Sequence, residues 1–185
     1  ENATPDMASH IASLIMEAMN AECCQNFAGP KHTLVDFHRM MTRLVEMEDS
    51  QYSYRNVLAA YTSGGILAGI CVAYDGGKLH QLRRRFYEAA LEAFGIDYTG
   101  MTDETEDGEF YIDSLAVSSN FRGKGIASQL LQATIERGAE LGIPTVGLLV
   151  DKGNPKAEAL YQRLGFVYVN DSTWGGHPMR HLQYK

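Results

Sequence analysis

Residues Asn120–Leu131 read NFRGKGIASQLL, and the reading of this stretch decides the fold. It follows an apolar run and opens into a helical pattern, with Gly123 and Gly125 flanking Lys124 and no acidic residue nearby. Glycines there remove side chains where backbone N–H groups approach a ligand, and the helix behind them points its positive end at the same place. The turn is a candidate anion site, with Arg122 and Lys124 adding charge. A plain strand-to-helix turn would also use glycine, for its dihedrals alone. A P-loop needs G-x-x-x-x-G-K-[ST], which the order Lys124–Gly125 does not give. Gly123-x-Gly125-x-x-Ser128 approaches the dinucleotide fingerprint, and Asp151 ends the next strand at a suitable distance. Against a dinucleotide, five residues separate the strand end from Gly123, and only 34 follow Asp151.

Outward from this turn, hydrophobic periodicity assigns the rest. A helix is expected over 5–20, with Met7, Ile11, Leu14, Ile15 and Met19 at helical spacing, and a second over 34–46. Strands near 56–61 and 66–74 are joined by Thr62-Ser63-Gly64-Gly65 as a hairpin. Residues 78–94 form an amphipathic helix, followed by a polar, acidic stretch, 102–109. A strand over 109–117 enters the glycine turn, a helix runs from 125 to 141, and the apolar strand 145–150 follows. A short helix from 155 to 163 and strands near 166–169 and 179–184 close the chain. This order is that of one mixed α/β, or α+β, domain over 1–185.

Thirty residues beyond the turn stands Asn154-Pro155-Lys156-Ala157-Glu158-Ala159-Leu160-Tyr161-Gln162-Arg163-Leu164-Gly165-Phe166. Arg122-Gly123-Lys124-Gly125-Ile126-Ala127 fits [QR]-x-x-G-x-[GA], and the later segment fits N-x-x-A-x-x-L-Y-x-x-L-G-F. In that order, with a strand between them, the two motifs resemble the GCN5-related N-acetyltransferases (GNAT). The resemblance is clear over 109–170. Residues 76–108 read as an insertion outside the core pattern, and the family's usual first strand is reduced here to Glu1-Asn2-Ala3.

The resemblance implies a central, mostly antiparallel, twisted sheet with 109–117 and 145–150 splayed apart. It implies acetyl-CoA as cosubstrate and an amine as acceptor. The pantetheine arm would pair with Leu115, Ala116 and Val117 along the strand edge, a backbone contact that reads no side chain. The pyrophosphate would meet Arg122, Gly123, Lys124, Gly125, Ile126 and Ala127, with Ser128 adding a hydroxyl. A backbone N–H near Leu115 would hold the oxyanion. Tyr161 matches the general-acid position for the leaving thiolate, the alternative being a helix aromatic packed in the core. Asn154 would either cap the short helix or contact the cofactor.

The amine arrives protonated, so the reaction needs a base. Strict alternation puts Glu109, Tyr111, Asp113, Leu115 and Val117 on one face. Glu109 matches a catalytic glutamate of the histone-acetyltransferase branch, and Asp113 lies nearer the acetyl position. The run Asp103, Glu104, Glu106, Asp107 and Glu109 would favour a cationic small-molecule or peptide acceptor, or would be a mobile, solvated loop. A non-catalytic acyl-CoA-binding module on the same fold stands as the alternative from another class.

Composition bounds the rest. A formal charge of -7 argues against nucleic acid as partner, and Arg83-Arg84-Arg85 reads as a solvated helix face. His177 and His181 sit on a strand, about 13 Å apart at strand rise, so no metal site is expected. Three cysteines, without a C-x-x-C, suit a reducing, cytoplasmic compartment. Neither a signal-peptide core nor an apolar run long enough for a membrane is present in the sequence. It begins at Glu1 rather than methionine, which leaves room for residues ahead of it.

Overall fold

The computed structural model describes residues 1–185. Three helices come first, α1 (Ala8–Met19), α2 (Ala21–Ala28) and α3 (Leu34–Glu46), then the hairpin β1 (Val57–Tyr61) and β2 (Leu67–Asp75). Helix α4 (Leu79–Phe94), β3 (Phe110–Val117), α5 (Ile126–Glu140), β4 (Val146–Asp151), α6 (Pro155–Arg163), β5 (Val167–Trp174) and β6 (His177–Tyr184) complete the chain. Six strands form one sheet in the order β1-β2-β3-β4-β6-β5, antiparallel throughout except for β3 beside β4. Glu1–Ala3 run against β1, with Ala3 N–H donating to Val57 at 3.1 Å.

Alternation along β2 builds two cores. Ile70 and Val72 face α1, α3 and α4, packing with Ile11, Ile15, Phe37, Met41 and Phe86. Cys71 and Ala73 face the other way, with Phe110, Leu131, Ile135 and Leu148 under α5. The capping box of Thr33 and Asp36 starts α3, whose apolar stripe is the most pronounced of the helices.

The sheet departs from the sequence expectation where chemistry is at stake. Val72 pairs Ser114 while Ala73 pairs Ile112, so Asp113 is an extra residue, a β-bulge in β3. The alternation expected through Glu109, Tyr111, Asp113, Leu115 and Val117 therefore breaks. Tyr111 packs with Tyr74 and Leu79 on the α1–α4 face, whereas Leu115 packs into the α5 core. The parallel ladder between β3 and β4 covers only Phe110–Ile112 against Val146–Leu148. Beyond it the strands diverge, as expected.

Residues 76–108 are folded into the molecule. Phe86, Ala90 and Phe94 of α4 are part of the α1–α3 core. Gly76 N–H donates to Glu109 O at 2.7 Å, and a Cβ on Gly76 would collide with the Glu106 carbonyl, so the loop closes tightly on the end of β2. Arg83 corrects the solvated reading of its triplet: it is 1% exposed, with Nη2 donating to Thr102 O at 2.9 Å and lying 3.4 Å from Glu104. Arg85 does lie near the surface, paired with Asp49 and Glu88. No helix is long and apolar enough to cross a membrane.

Candidate functional site

Where β3 and β4 part, a cleft of about 370 Å³ opens. Asp113, Ser114 and Leu115 line it from β3, Leu149, Val150 and Asp151 from β4, and Asn154, Ala157 and Tyr161 from α6 and its cap. Residues Leu115, Ala116 and Val117 pair with Cys71, Ile70 and Gly69 on the β2 side only, which leaves their other edge toward the gap. That edge is the kind of strand surface an extended chain can join.

Beyond Val117 the chain enters the glycine turn. Gly123 (φ 75°) and Gly125 (φ 77°) are both left-handed, a region that disfavours side chains. A Cβ at either would meet no protein atom within 4 Å, so the approach to the turn is open. Gly125 caps α5 without a side-chain bond, and the first-turn N–H groups of Ile126, Ala127 and Ser128 have no intrahelical acceptor. Arg122 donates from Nε to Val117 O at 3.1 Å, tying turn to strand, and Lys124 lies 5.5 Å from the centroid of the Phe121 ring. The turn thus presents aligned donors, a helix N-terminus and two cations. The residues fit a pyrophosphate next to an extended arm.

Asn154 caps α6, its Oδ1 accepting from Ala157 N–H at 3.2 Å, and it also borders the cleft. Two helical turns later Tyr161 packs edge-on to Phe166, with centroids 6.0 Å apart. Burial pushes its phenol up to about 12, with buried Cys71 adding to the effect, and no protein group hydrogen-bonds its hydroxyl. The phenol stays protonated at neutral pH. Burial also pushes Cys23 to about 11 and Cys24 and Cys71 to about 12, and no thiol lines the cleft.

The two carboxylates singled out on β3 have different surroundings. Asp113, on the bulge, lines the cleft: its Oδ2 accepts from Tyr74 Oη at 2.7 Å and its Oδ1 from Ser114 Oγ at 3.0 Å. Burial, outweighing those bonds, raises its pKa. Glu109, by contrast, lies outside the cleft lining, 1% exposed. Its Oε2 accepts from His181 Nε2 at 2.6 Å and Gln183 Nε2 at 2.8 Å, and its Oε1 from Thr105 Oγ1 at 2.7 Å. Burial pushes this carboxyl up, but the three donors more than offset it and leave the pKa below the usual glutamate value. A carboxylate so occupied is a poor base; it fastens the 102–109 loop to β6.

The acidic run does not surround the site as a cloud. Asp103 pairs with His80 and Arg83 outside the cleft, while Glu104 alone turns in, 8% exposed and beside the Tyr74 hydroxyl at 3.4 Å. Glu104, Tyr74 and Gln51 were hidden from sequence reasoning as site residues. Glu104 looked like one carboxylate of five, and no local pattern connects it with Arg83 or Asp113. His177 lies 4.0 Å from Asp151, and no group of three or more His, Cys, Asp or Glu is placed to hold a metal.

A family model described as the acetyltransferase (GNAT) family matches residues 30–166. Mycothiol acetyltransferase from Propionibacterium freudenreichii subsp. shermanii is 36% identical over 96 residues, 49% of this chain and 30% of that protein. A probable spermine N(1)-acetyltransferase from Bacillus subtilis subsp. natto is 27% identical over 94 residues, 49% of this chain and 62% of that one. The chain thus spans less than two thirds of either curated relative. A crystal structure described as an acetyltransferase superposes with a TM-score of 0.82 and 27% identity, covering 99% of this chain and 96% of the other.

Proposed function

This chain belongs to the GNAT acetyltransferase family, and from that premise we propose that it moves the acetyl group of acetyl-CoA to a primary amine by direct attack. The observation that carries the reading is the continuity of three features. An unpaired strand edge at 115–117 leads to an uncapped helix N-terminus at one end, and to a cleft holding a free phenol and a carboxylate at the other.

In this reading the N–H groups of 126–128, with Arg122, Gly123, Lys124 and Gly125, hold the pyrophosphate. The edge of Leu115–Val117 orients the pantetheine arm, and a backbone N–H near Leu115 holds the oxyanion. Bound acetyl-CoA supplies the activated acyl group. Asp113 faces the incoming amine, and Tyr161 donates a hydrogen bond, then its proton, to the leaving sulfur. Protonated thiols away from the cleft support direct attack over an acyl-cysteine route. Asn154 serves as the α6 cap.

The cleft carboxylates Asp113 and Glu17 favour a cationic acceptor, small molecule or peptide. Spermine, the acceptor for which the Bacillus subtilis subsp. natto relative is named, belongs to that class. The test is free-thiol release from acetyl-CoA with a panel of primary amines. Amine-dependent release supports the reading. Tight acetyl-CoA binding without release into any amine would favour a non-catalytic acyl-CoA module instead.

A further inference from the structure

Tyr74 Oη stands between two buried carboxyls, 2.7 Å from Asp113 Oδ2 and 3.4 Å from Glu104 Oε1. A phenol has one proton to donate. The shorter contact assigns that proton to Asp113, so Glu104 meets the oxygen's lone pairs. An ionised Glu104 would be repelled there, whereas a protonated one donates. The arrangement is built to hold a proton: Glu104 to Tyr74, Tyr74 to Asp113.

Its neighbours reinforce this. Arg83, on α4, is the single cation in contact, 3.4 Å from Glu104, and it also binds Asp103 and the Thr102 carbonyl. One shared guanidinium does not neutralise two carboxylates. Tyr111 on β3 and Tyr52 ahead of β1 face the cluster as neutral phenols, and Tyr87 on α4 lies beside Arg83, while Glu17 and Asp151 lie across the cleft. Glu109 and His181 bind each other behind the same loop. Burial and the Asp113 charge push Glu104 up to about 8.

A separate observation points to an N–H donor as ligand. Gln51 is 4% exposed, and its amide is oriented by Nε2 lying 3.4 Å from Asp113 Oδ2, which leaves Oε1 without a partner. Gln51 lines a recess that shares Met19, Tyr52, Glu104 and Trp174 with the cleft.

We infer that Glu104 and Asp113, joined through the Tyr74 hydroxyl, are the pair that takes the proton from the acceptor ammonium. This rests on the proposed acetyl transfer and adds to it a base contributed by the 76–108 segment. In its doubly ionised form the pair receives one proton from R-NH3⁺ at Asp113. Tyr74 passes its own proton to Glu104 and takes the one on Asp113, leaving R-NH2 free to attack. The second nitrogen proton is lost as the tetrahedral adduct collapses, and the departing thiolate takes the Tyr161 proton. That nitrogen proton then restores the phenol, so one proton per turnover leaves Glu104 for solvent.

Ethylamine, a cation at neutral pH, and 2,2,2-trifluoroethylamine, already neutral there, separate this role from a structural one. Glu104→Gln is expected to lower kcat/KM for ethylamine about 10²-fold or more, a general-base effect, and for the fluorinated amine less than about threefold. Tyr74→Phe, which keeps both carboxyls and the packing, should give the same split with smaller losses. Equal losses for both amines, or none, would overturn the proposal. Independently of any acceptor, carboxyl-carbon NMR of the full chain should show Glu104 titrating near pH 8, and lower in Asp113→Asn. A Glu104 fully ionised by pH 6 would overturn the shared proton. Wild-type chain that acetylates neither amine while Glu104 titrates near 8 would overturn the reaction and the base role, but not the shared proton.

Discussion

Substituting alanine at Gly147 tests how the loop bearing Glu104 is held. The Glu109 carboxylate lies directly over the Gly147 Cα, where a Cβ would overlap its Cδ and Oε2. Normally a glutamate would swing aside, but His181, Gln183 and Thr105 hold this one at 2.6–2.8 Å. Displacement breaks at least the two bonds to Oε2. Hydrogen bonds to a charged group are each worth about 1.5–3 kcal/mol, giving a loss of about 3–6 kcal/mol. Partial relaxation favours the lower end. For a chain of this size about 3 kcal/mol lowers Tm by about 6–12 °C. Calorimetry on Gly147→Ala measures this, and the same substitution in a Glu109→Ala background should cost less than about 1 kcal/mol, because the obstructing group is gone. A Gly147→Ala Tm within about 2 °C of wild type, or equal costs in both backgrounds, would refute the reasoning.

The same pair sets a pH window. Glu109 is depressed, so its contribution is present above the ordinary glutamate value of 4.5 and is lost as pH falls through its lower folded value. His181 is raised by its bond to Glu109, so its contribution is complete below the ordinary imidazole value of 6.5 and fades as pH rises through its folded value. Glu109→Gln should therefore flatten the Tm–pH curve on both sides of that interval; an unchanged curve would contradict the pairing. Gly125→Glu places a strained side chain and a negative charge at the uncapped helix end, and calorimetry should show acetyl-CoA binding lost with the fold retained. Tyr161→Phe removes one hydroxyl and almost no volume, and should lower kcat by about 10²-fold or more with acetyl-CoA affinity unchanged.

Much of this was legible in the sequence because it is local. The glycine turn, the Asn154–Phe166 segment and the apolar stripe of α3 are each written within a dozen or so residues. Helix α2 was missed: Asn20 (φ 72°) both ends α1 and caps α2 by accepting from Cys23 N–H, so two helices read as one followed by loop. The β5–β6 hairpin is longer than expected because β5 is exposed on both faces and carries no alternation. Asp113 was placed on the right strand, but its bulge is a property of register against β2, which no single segment encodes. Arg83 could not be separated from Arg84 and Arg85 without Glu104, nor Glu109 from a solvated strand end without His181, 72 residues later. Long-range polar pairing, rather than periodicity, was the part out of reach.

Acetyl transfer to nitrogen is tested most directly by mixing the chain with acetyl-CoA carrying a ¹³C-labelled acetyl group and ethylamine, then locating the label. The account predicts label in N-ethylacetamide, formed in step with free CoA and dependent on the amine. Label left in acetyl-CoA, released as acetate at a rate indifferent to the amine, or fixed on the protein as a thioester would contradict it.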